Sequence, residues 1–307
     1  MLIYNPRAGR ILRSDGSLIH RVEEALREAG HAVTPAPTTG PRTAGEIARK
    51  HIERGADVIV VAGGDGTVNE AAEGMLGTGV PLAVLPAGTA NVLATELKLG
   101  RDPVKAARRL AEWVAHPVAA GRLDFTGGET RHFLLMAGIG LDAYIVSKVN
   151  SALKARTGKF AYWLAGWSLL GRRLAEIEVE IDGVKRRCGF ALFARVRNYG
   201  GDFEIARRVT LLEDTFEVVL FEGRNALRYV PYFAGMVVGR LEGTRGVTVV
   251  RAREAKIAAV GDERAFVQVD GELGGRIPAD VRIVPGAVRL LMPAGFAAPA
   301  DGRVSAI

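Results

Sequence analysis

Residues 57–70, Asp-Val-Ile-Val-Val-Ala-Gly-Gly-Asp-Gly-Thr-Val-Asn-Glu, pass from an apolar run straight into Gly63-Gly64-Asp65-Gly66-Thr67 and then a helix-like segment. That order predicts a buried parallel strand, a tight turn and a helix N-terminus. Glycines in such a turn let the backbone take φ > 0 and approach a ligand closely. The free N–H groups of the first helical turn, together with the helix dipole, favour an anion such as phosphate. A carboxylate at this place repels phosphate unless a divalent ion lies between them. Asp65 therefore points to a phosphate site that works through Mg²⁺. The competing reading is a strand-to-helix turn that needs glycine only for its shape.

The same rhythm runs through the first third of the chain. Strands are expected over 2–4, 31–35, 57–62 and 81–85, and helices over 18–29, 43–54 and 67–76, with a further helix ending at Leu97. Such alternation predicts an α/β domain, a doubly wound parallel sheet with ligands at the carboxyl ends of its strands. From about Gly121 the pattern changes to short strand-like runs at 131–137, 177–181, 189–196, 216–221, 247–250, 255–259, 266–269 and 288–291. Turn formers separate many of them, and helical inserts at 144–170 and 226–238 interrupt them. A mostly antiparallel β-sandwich or flattened barrel fits this second part. The boundary is expected near residue 122, giving an α/β domain over 1–122 and a β-domain over 123–292, with 293–307 returning to the first.

Composition narrows the classes. With 307 residues, 48% hydrophobic and 24% charged, the chain is globular and long enough for two domains. No apolar stretch is long enough to span a bilayer. The N-terminus lacks the basic-then-apolar order of a signal peptide. A single cysteine, Cys188, excludes an intramolecular disulfide and a Cys-rich zinc site. A cytoplasmic protein is expected. The net charge of +7 suits nucleotides or an anionic membrane face. Aromatic residues make up 7% and do not interleave with the basic groups, which argues against nucleic acid. The histidines show no metal-binding spacing, and neither a Walker-type loop nor a dinucleotide fingerprint is present.

A phosphate loop and carboxylates remain. Leu85-Pro86-Ala87-Gly88-Thr89-Ala90-Asn91 forms a second strand-to-helix turn, so that two adjacent turns could clasp one nucleotide from both sides. Thr89 and Asn91 offer hydroxyl and amide contacts, or alternatively an N-cap. Asn5-Pro6-Arg7-Ala8-Gly9 follows the first strand and ends on the same rim. Far downstream, Val267-Gln268-Val269-Asp270-Gly271-Glu272 alternates apolar and polar residues. If the strand runs extended to Glu272, Asp270 and Glu272 share one face. Such a pair can hold a metal, or one carboxylate can raise the other's pKa and prepare it as a base. The alternative is a solvent-facing Asp-Gly hairpin turn.

In this order, Gly-Gly-Asp-Gly-Thr with Asn69-Glu70, Pro-Ala-Gly-Thr-Ala-Asn, Arg122-Leu123-Asp124 and Asp270-Gly271-Glu272 resemble the diacylglycerol kinase catalytic family. That family sits in the superfamily of NAD kinase and phosphofructokinase. The likeness extends from Asn5-Pro6 to about Pro293. It takes in 133–142 and 154–162. The resemblance implies ATP binding by Thr38, by Gly64, Asp65, Gly66, Thr67 and Asn69, and by Gly88, Thr89 and Asn91. It implies that Asp270 or Glu272 accepts the substrate proton, linked with Asp65 and Asp124 in a Mg²⁺-dependent network. It also implies a structural Mg²⁺ on Asp214, with the carbonyls of Leu211 and Phe216.

Three positions depart from the family pattern. Gly200-Gly201-Asp202 stands for Gly-Gly-Gly, Ala206-Arg207 for Ala-Pro, and Asp214-Thr215 for Asp-Gly. Threonine in place of glycine is expected to strain the metal loop. The resulting expectation is an ATP- and Mg²⁺-dependent lipid kinase, associated peripherally with anionic membranes, with a homodimeric assembly left open. A kinase of a soluble acceptor, as in NAD kinase, and a non-catalytic nucleotide or lipid sensor are the alternatives. The first is disfavoured because Asn69-Glu70 follows the glycine turn almost at once.

Overall fold

In the computed structural model, which describes residues 1–140, 174–199, 204–225, 228–261 and 265–296, β3 (Ile59–Gly63) is buried along its whole length. It lies between β1 (Leu2–Tyr4) and β4 (Pro81–Pro86), parallel to both. Continuous apolar strands need cover on two faces, and alternate residues find it. Leu2, Val60, Ala62 and Leu85 pack on α2 (Ser17–Glu28) and α6 (Pro103–Arg108). Ile3, Ile59, Val61 and Val84 pack with α3 (Ala44–Glu53) and α4 (Asp65–Met75). The short helices α1 (Gly9–Arg13) and α5 (Val92–Glu96) follow β1 and β4.

The strand expected at 31–35 is displaced to β2 (Pro35–Pro37), which pairs with β1 at the sheet edge. Leu2 N–H donates to Thr34 O, so pairing starts there. Proline is tolerated because an edge strand need not donate on both sides.

Helices α3 and α4 cross where two glycines meet. A Cβ on Gly45 would come within 2.7 Å of Glu70 O, and one on Gly74 would collide with the Gly45 backbone. Gly74→Ala is therefore expected to lower stability by about 1–3 kcal/mol, as over-packing does. A urea melt checks this, and an unchanged midpoint would show that the crossing can relax.

The parallel sheet does not stop at residue 122. That position lies inside β5 (Trp113–Phe125), which pairs antiparallel with β16 (Ala279–Pro293) from Ala279↔Phe125 to Pro293↔Trp113. The C-terminal part of β16 also runs parallel to β4, bringing the chain back to the first sheet. Its N-terminal part pairs with β13 (Glu254–Ala259), which continues to β8 (Ile177–Ile181) and β9 (Val184–Cys188). With β6 (Thr130–Phe133) on β5, this makes a ten-stranded mixed sheet among the described residues.

A second, six-stranded antiparallel sheet has the order β12 (Val247–Ala252), β11 (Phe216–Phe221), β10 (Phe190–Ala194), β7 (Met136–Gly140), β14 (Phe266–Val269) and β15 (Glu272–Arg276). The sandwich core joins Leu123, Phe133, Val179 and Val281 of one sheet to Phe193, Phe216, Val218 and Val267 of the other. Phe133 stacks on Phe216 with centroids 5.6 Å apart.

The run expected at 131–137 divides into β6 and β7, one in each sheet. The chain crosses between sheets at Leu134 and Leu135. The second helical insert contains α7 (Tyr229–Val237). The first insert (144–170), Asp202 with its two preceding glycines, and the tail beyond 296 lie outside the described residues. No helix among the described residues is long and apolar enough to cross a membrane.

Candidate active site

Three loops meet at the carboxyl ends of β1, β3 and β4. Gly63 O accepts from the Ala87 and Gly88 N–H groups at 3.1 and 3.0 Å. Gly88 lies so close to Gly64 that a Cβ on Gly88 would strike the Gly64 backbone. The two glycine turns thus touch each other and form one common rim. Asn5 ties in the first loop: its Nδ2 donates to Thr67 Oγ1 at 3.2 Å while its Oδ1 accepts from Arg7 N–H at 2.9 Å. Arg10 N–H donates to Ala87 O, and Thr89 Oγ1 faces Gly9. Thr38 stands at the end of β2, its N–H on Tyr4 O at 2.8 Å.

Asn91 stands at the N-cap position of α5, without a capping bond from its side chain. It holds a left-handed conformation, and its amide closes on Gly88 at both ends, accepting from Gly88 N–H at 2.8 Å and donating to Gly88 O at 3.0 Å. Its side chain therefore shapes the loop.

Gly64 is the N-cap of α4 and Asp65 its first residue, where the helix dipole favours a carboxylate. Asp65 Oδ1 also accepts from Leu93 N–H at 3.3 Å, so the side chain bridges the starts of α4 and α5. Burial pushes its pKa up, against the pull of the Val92 and Leu93 N–H groups. Asn69 Nδ2 donates to His132 O at 3.2 Å, joining α4 to β6.

Asp270 and Glu272 do not share a strand face. Asp270 and Gly271 both have positive φ, at 47° and 83°, and Val269 pairs directly with Glu272 across them. That is the two-residue hairpin that an Asp-Gly pair favours. Yet the turn does not face solvent, because the Asp270 side chain is only 7% exposed. Its Oδ2 accepts from Leu134 N–H at 2.9 Å, and its Oδ1 from the Leu135 and Met136 N–H groups at 3.0 and 2.8 Å. These are the N–H groups at and beside the crossing between the sheets, where regular pairing is interrupted. Burial pushes Asp270 up to about 7, opposed by the three N–H donors and reinforced by the charge of Asp65.

Between pH 4 and 7, the folded protein thus holds a proton on Asp270 that the unfolded chain has released. By linkage, stability should fall as pH rises through this window. Asp270→Asn should flatten that decline. Denaturant midpoints measured across the range check the sign.

Asp65 and Asp270 border one narrow cleft, with Val68, Leu93, Leu134 and Leu135 as its apolar lining and Asn69 at its edge. Glu272 is exposed, with Oε1 directly over Gly66: a Cβ there would come within 2.7 Å of it. Asp124 does not line this cleft. It pairs with Arg122 at 2.8 Å, accepts from Thr130 Oγ1 at 2.8 Å and meets Arg282 at 3.3 Å, and the Arg122 bond holds its pKa down. Three strand neighbours of complementary chemistry thus engage the carboxylate that was expected to join Asp65.

The loop that carries Asp214, where a structural Mg²⁺ is expected, is entered by an arginine side chain. Leu211 O accepts from Arg195 Nη2 at 2.9 Å, while Phe216 simply opens β11 opposite Ala252. Thr215 is unstrained, with no positive φ, and its hydroxyl meets Arg251 at 3.1 Å. The Arg207 N–H, which the family's proline would lack, donates to the buried Glu217 carboxylate at 3.1 Å.

Glu96 escaped the sequence reading. Only 2% exposed, it accepts from Arg197 N–H and Nε and from Asn198 Nδ2 at 3.1–3.3 Å, tying α5 to the segment after β10. A lone carboxylate in the apolar helix Val92–Glu96 was the available signal.

A parallel-rich α/β sheet with glycine turns at its rim, joined to an antiparallel β-sandwich, is the two-part architecture expected from the sequence. The diacylglycerol kinase catalytic domain model matches residues 1–123, and the YegS C-terminal NAD kinase beta sandwich-like domain model matches 136–292. The chain is 28% identical over 298 residues to a Bacillus subtilis diacylglycerol kinase, covering 95% of each. It is 26% identical over 247 residues to a Mycobacterium tuberculosis diacylglycerol kinase, covering 79% of each. The crystal structure of a diacylglycerol kinase from Bacillus anthracis superposes with a TM-score of 0.77 over 96% of both chains at 21% identity, a match of fold. The chain belongs to the diacylglycerol kinase catalytic-domain family, a family of lipid kinases.

Proposed function

We propose that this chain transfers the γ-phosphate of ATP·Mg²⁺ to a hydroxyl of a membrane lipid, with diacylglycerol the first acceptor to test. The reading rests chiefly on the placement of Asp270, a buried carboxylate bordering the same crevice as Asp65 of the glycine turn, where burial pushes its pKa up toward the range of a general base. Residues 1–122 would bind the nucleotide and 123–292 the acceptor. Phosphates would lie along the rim of the 63–67 and 87–91 loops, near the start of α4. Mg²⁺ arriving with the nucleotide would neutralise phosphate charge, and Asp65 and Glu272 offer the hard oxygen donors that suit it. The acceptor oxygen attacks phosphorus as the bond to ADP breaks, and its proton passes to Asp270. Positioning and electrostatics carry most of such a transfer.

Membrane contact has a candidate surface around α7. Val230 and Val238 are 57% and 67% exposed, close in sequence to the exposed Arg228 and Arg240. Apolar side chains beside basic ones suit an anionic lipid surface. The test supplies labelled ATP and Mg²⁺ with anionic vesicles containing diacylglycerol, and in parallel with NAD. Label extracted into the lipid phase supports the reading. Label on NAD alone would overturn it in favour of a soluble acceptor, and no transfer at all would favour a sensor.

A further inference from the structure

The loop 210–215 turns several backbone carbonyls inward, a geometry that calls for a cation. The described residues supply one themselves. Arg195 follows β10 directly and is 0% exposed. Its Nη1 donates to Glu213 O and, at 2.8 Å, to Thr215 O. Its Nη2 donates to Leu211 O at 2.9 Å and reaches Ala119 O at 3.4 Å. The planar guanidinium thus gathers three carbonyls of one loop and one of β5. Its backbone is fixed as well, with Arg195 N–H on Leu135 O at 2.8 Å.

We propose that the Arg195 guanidinium takes the place of the structural Mg²⁺ in this chain, so that its β-sandwich holds together without a metal. Leu211 O already accepts from Arg195, so a Mg²⁺, which needs its oxygens at about 2.1 Å in octahedral order, would have to share it. The guanidinium remains charged at neutral pH even though burial pulls it down to about 10, with Asp214 supporting the charge. The loop is closed from outside without metal too: Glu213 pairs with Arg251, which also donates to Thr215 Oγ1. The loss of the family's glycine at Thr215 then follows, because a loop folded on a planar fork does not need the conformation that glycine permits.

The inference does not depend on which acceptor is phosphorylated. Its test uses the nucleotide-free full chain, so that metal delivered with ATP is absent. The melting temperature should stay within about 1 °C between EDTA and millimolar Mg²⁺, since a ligand that does not bind the folded state does not shift it. Metal analysis after dialysis should find no stoichiometric ion. Arg195→Met should lower the melting temperature by on the order of 10 °C. Asp214→Asn should lower it by no more than about 2 °C. If Arg195→Met yields no folded protein, the EDTA comparison and Asp214→Asn still decide. A wild-type melting temperature that drops in EDTA and recovers with Mg²⁺, or one retained equivalent of metal, would overturn the proposal.

Discussion

Asp270→Asn is expected to lower kcat for lipid phosphorylation by about 10²–10⁴-fold, the usual contribution of a general base. Asparagine keeps the shape and accepts the left-handed conformation at this position, with φ of 47°. Its amide oxygen can still serve the Leu135 and Met136 N–H groups. What it loses is the charge and an acceptor for Leu134 N–H. ATP binding should change little, because the glycine loops are untouched. In the wild type, kcat should rise as pH passes through about 7, where Asp270 becomes an available base. That inflection should vanish in the variant. A normal rate for Asp270→Asn combined with collapse in Glu272→Gln would move the proton acceptor to the exposed residue over Gly66.

The other large effect is expected at Gly88. Valine there would drive its Cβ into the Gly64 backbone, and the two loops cannot separate without breaking the bonds that Gly63 O accepts from Ala87 and Gly88. A displacement of about 1 Å at such a rim costs on the order of 10² in rate. Gly88→Val should therefore lose at least about 10²-fold in kcat/KM for ATP. Over-packing should cost a further 1–3 kcal/mol or so of stability. Steady-state kinetics beside a thermal melt separate the two. A variant with ordinary ATP kinetics would mean that nucleotide does not use this rim.

Much of the fold was legible because its apolar runs have one possible period. Ile59–Gly63, Ile177–Ile181 and Phe216–Phe221 are buried strands whose sequences say so. The strands that escaped lack such a signal. Val184–Cys188 is largely polar, Glu272–Arg276 contains two glycines, and the first half of β5 carries His116 and Pro117. Their pairing depends on partners distant in the chain. The glycine loops were legible for a similar reason, since close approach requires glycine wherever it occurs.

Side-chain partnerships across elements were not. Nothing around Asp124 announces that Arg282 will stand beside it, and nothing in Ala194-Arg195-Val196 announces four carbonyls. Alternation also misled at Asp270. A period of two assumes an extended chain, and Asp-Gly is the pair best able to end one.

The passage of β16 through both parts of the molecule ties them mechanically. A single strand hydrogen-bonds to β4 at one end, to β13 at the other and to β5 on both sides of a bulge between Val284 and Val288. Two paired strands, β5 and β16, join the two parts where a single linker would leave them independent, and the bulge at 284–288 is the one irregular place in that pairing. Heating should therefore melt both halves in one cooperative step.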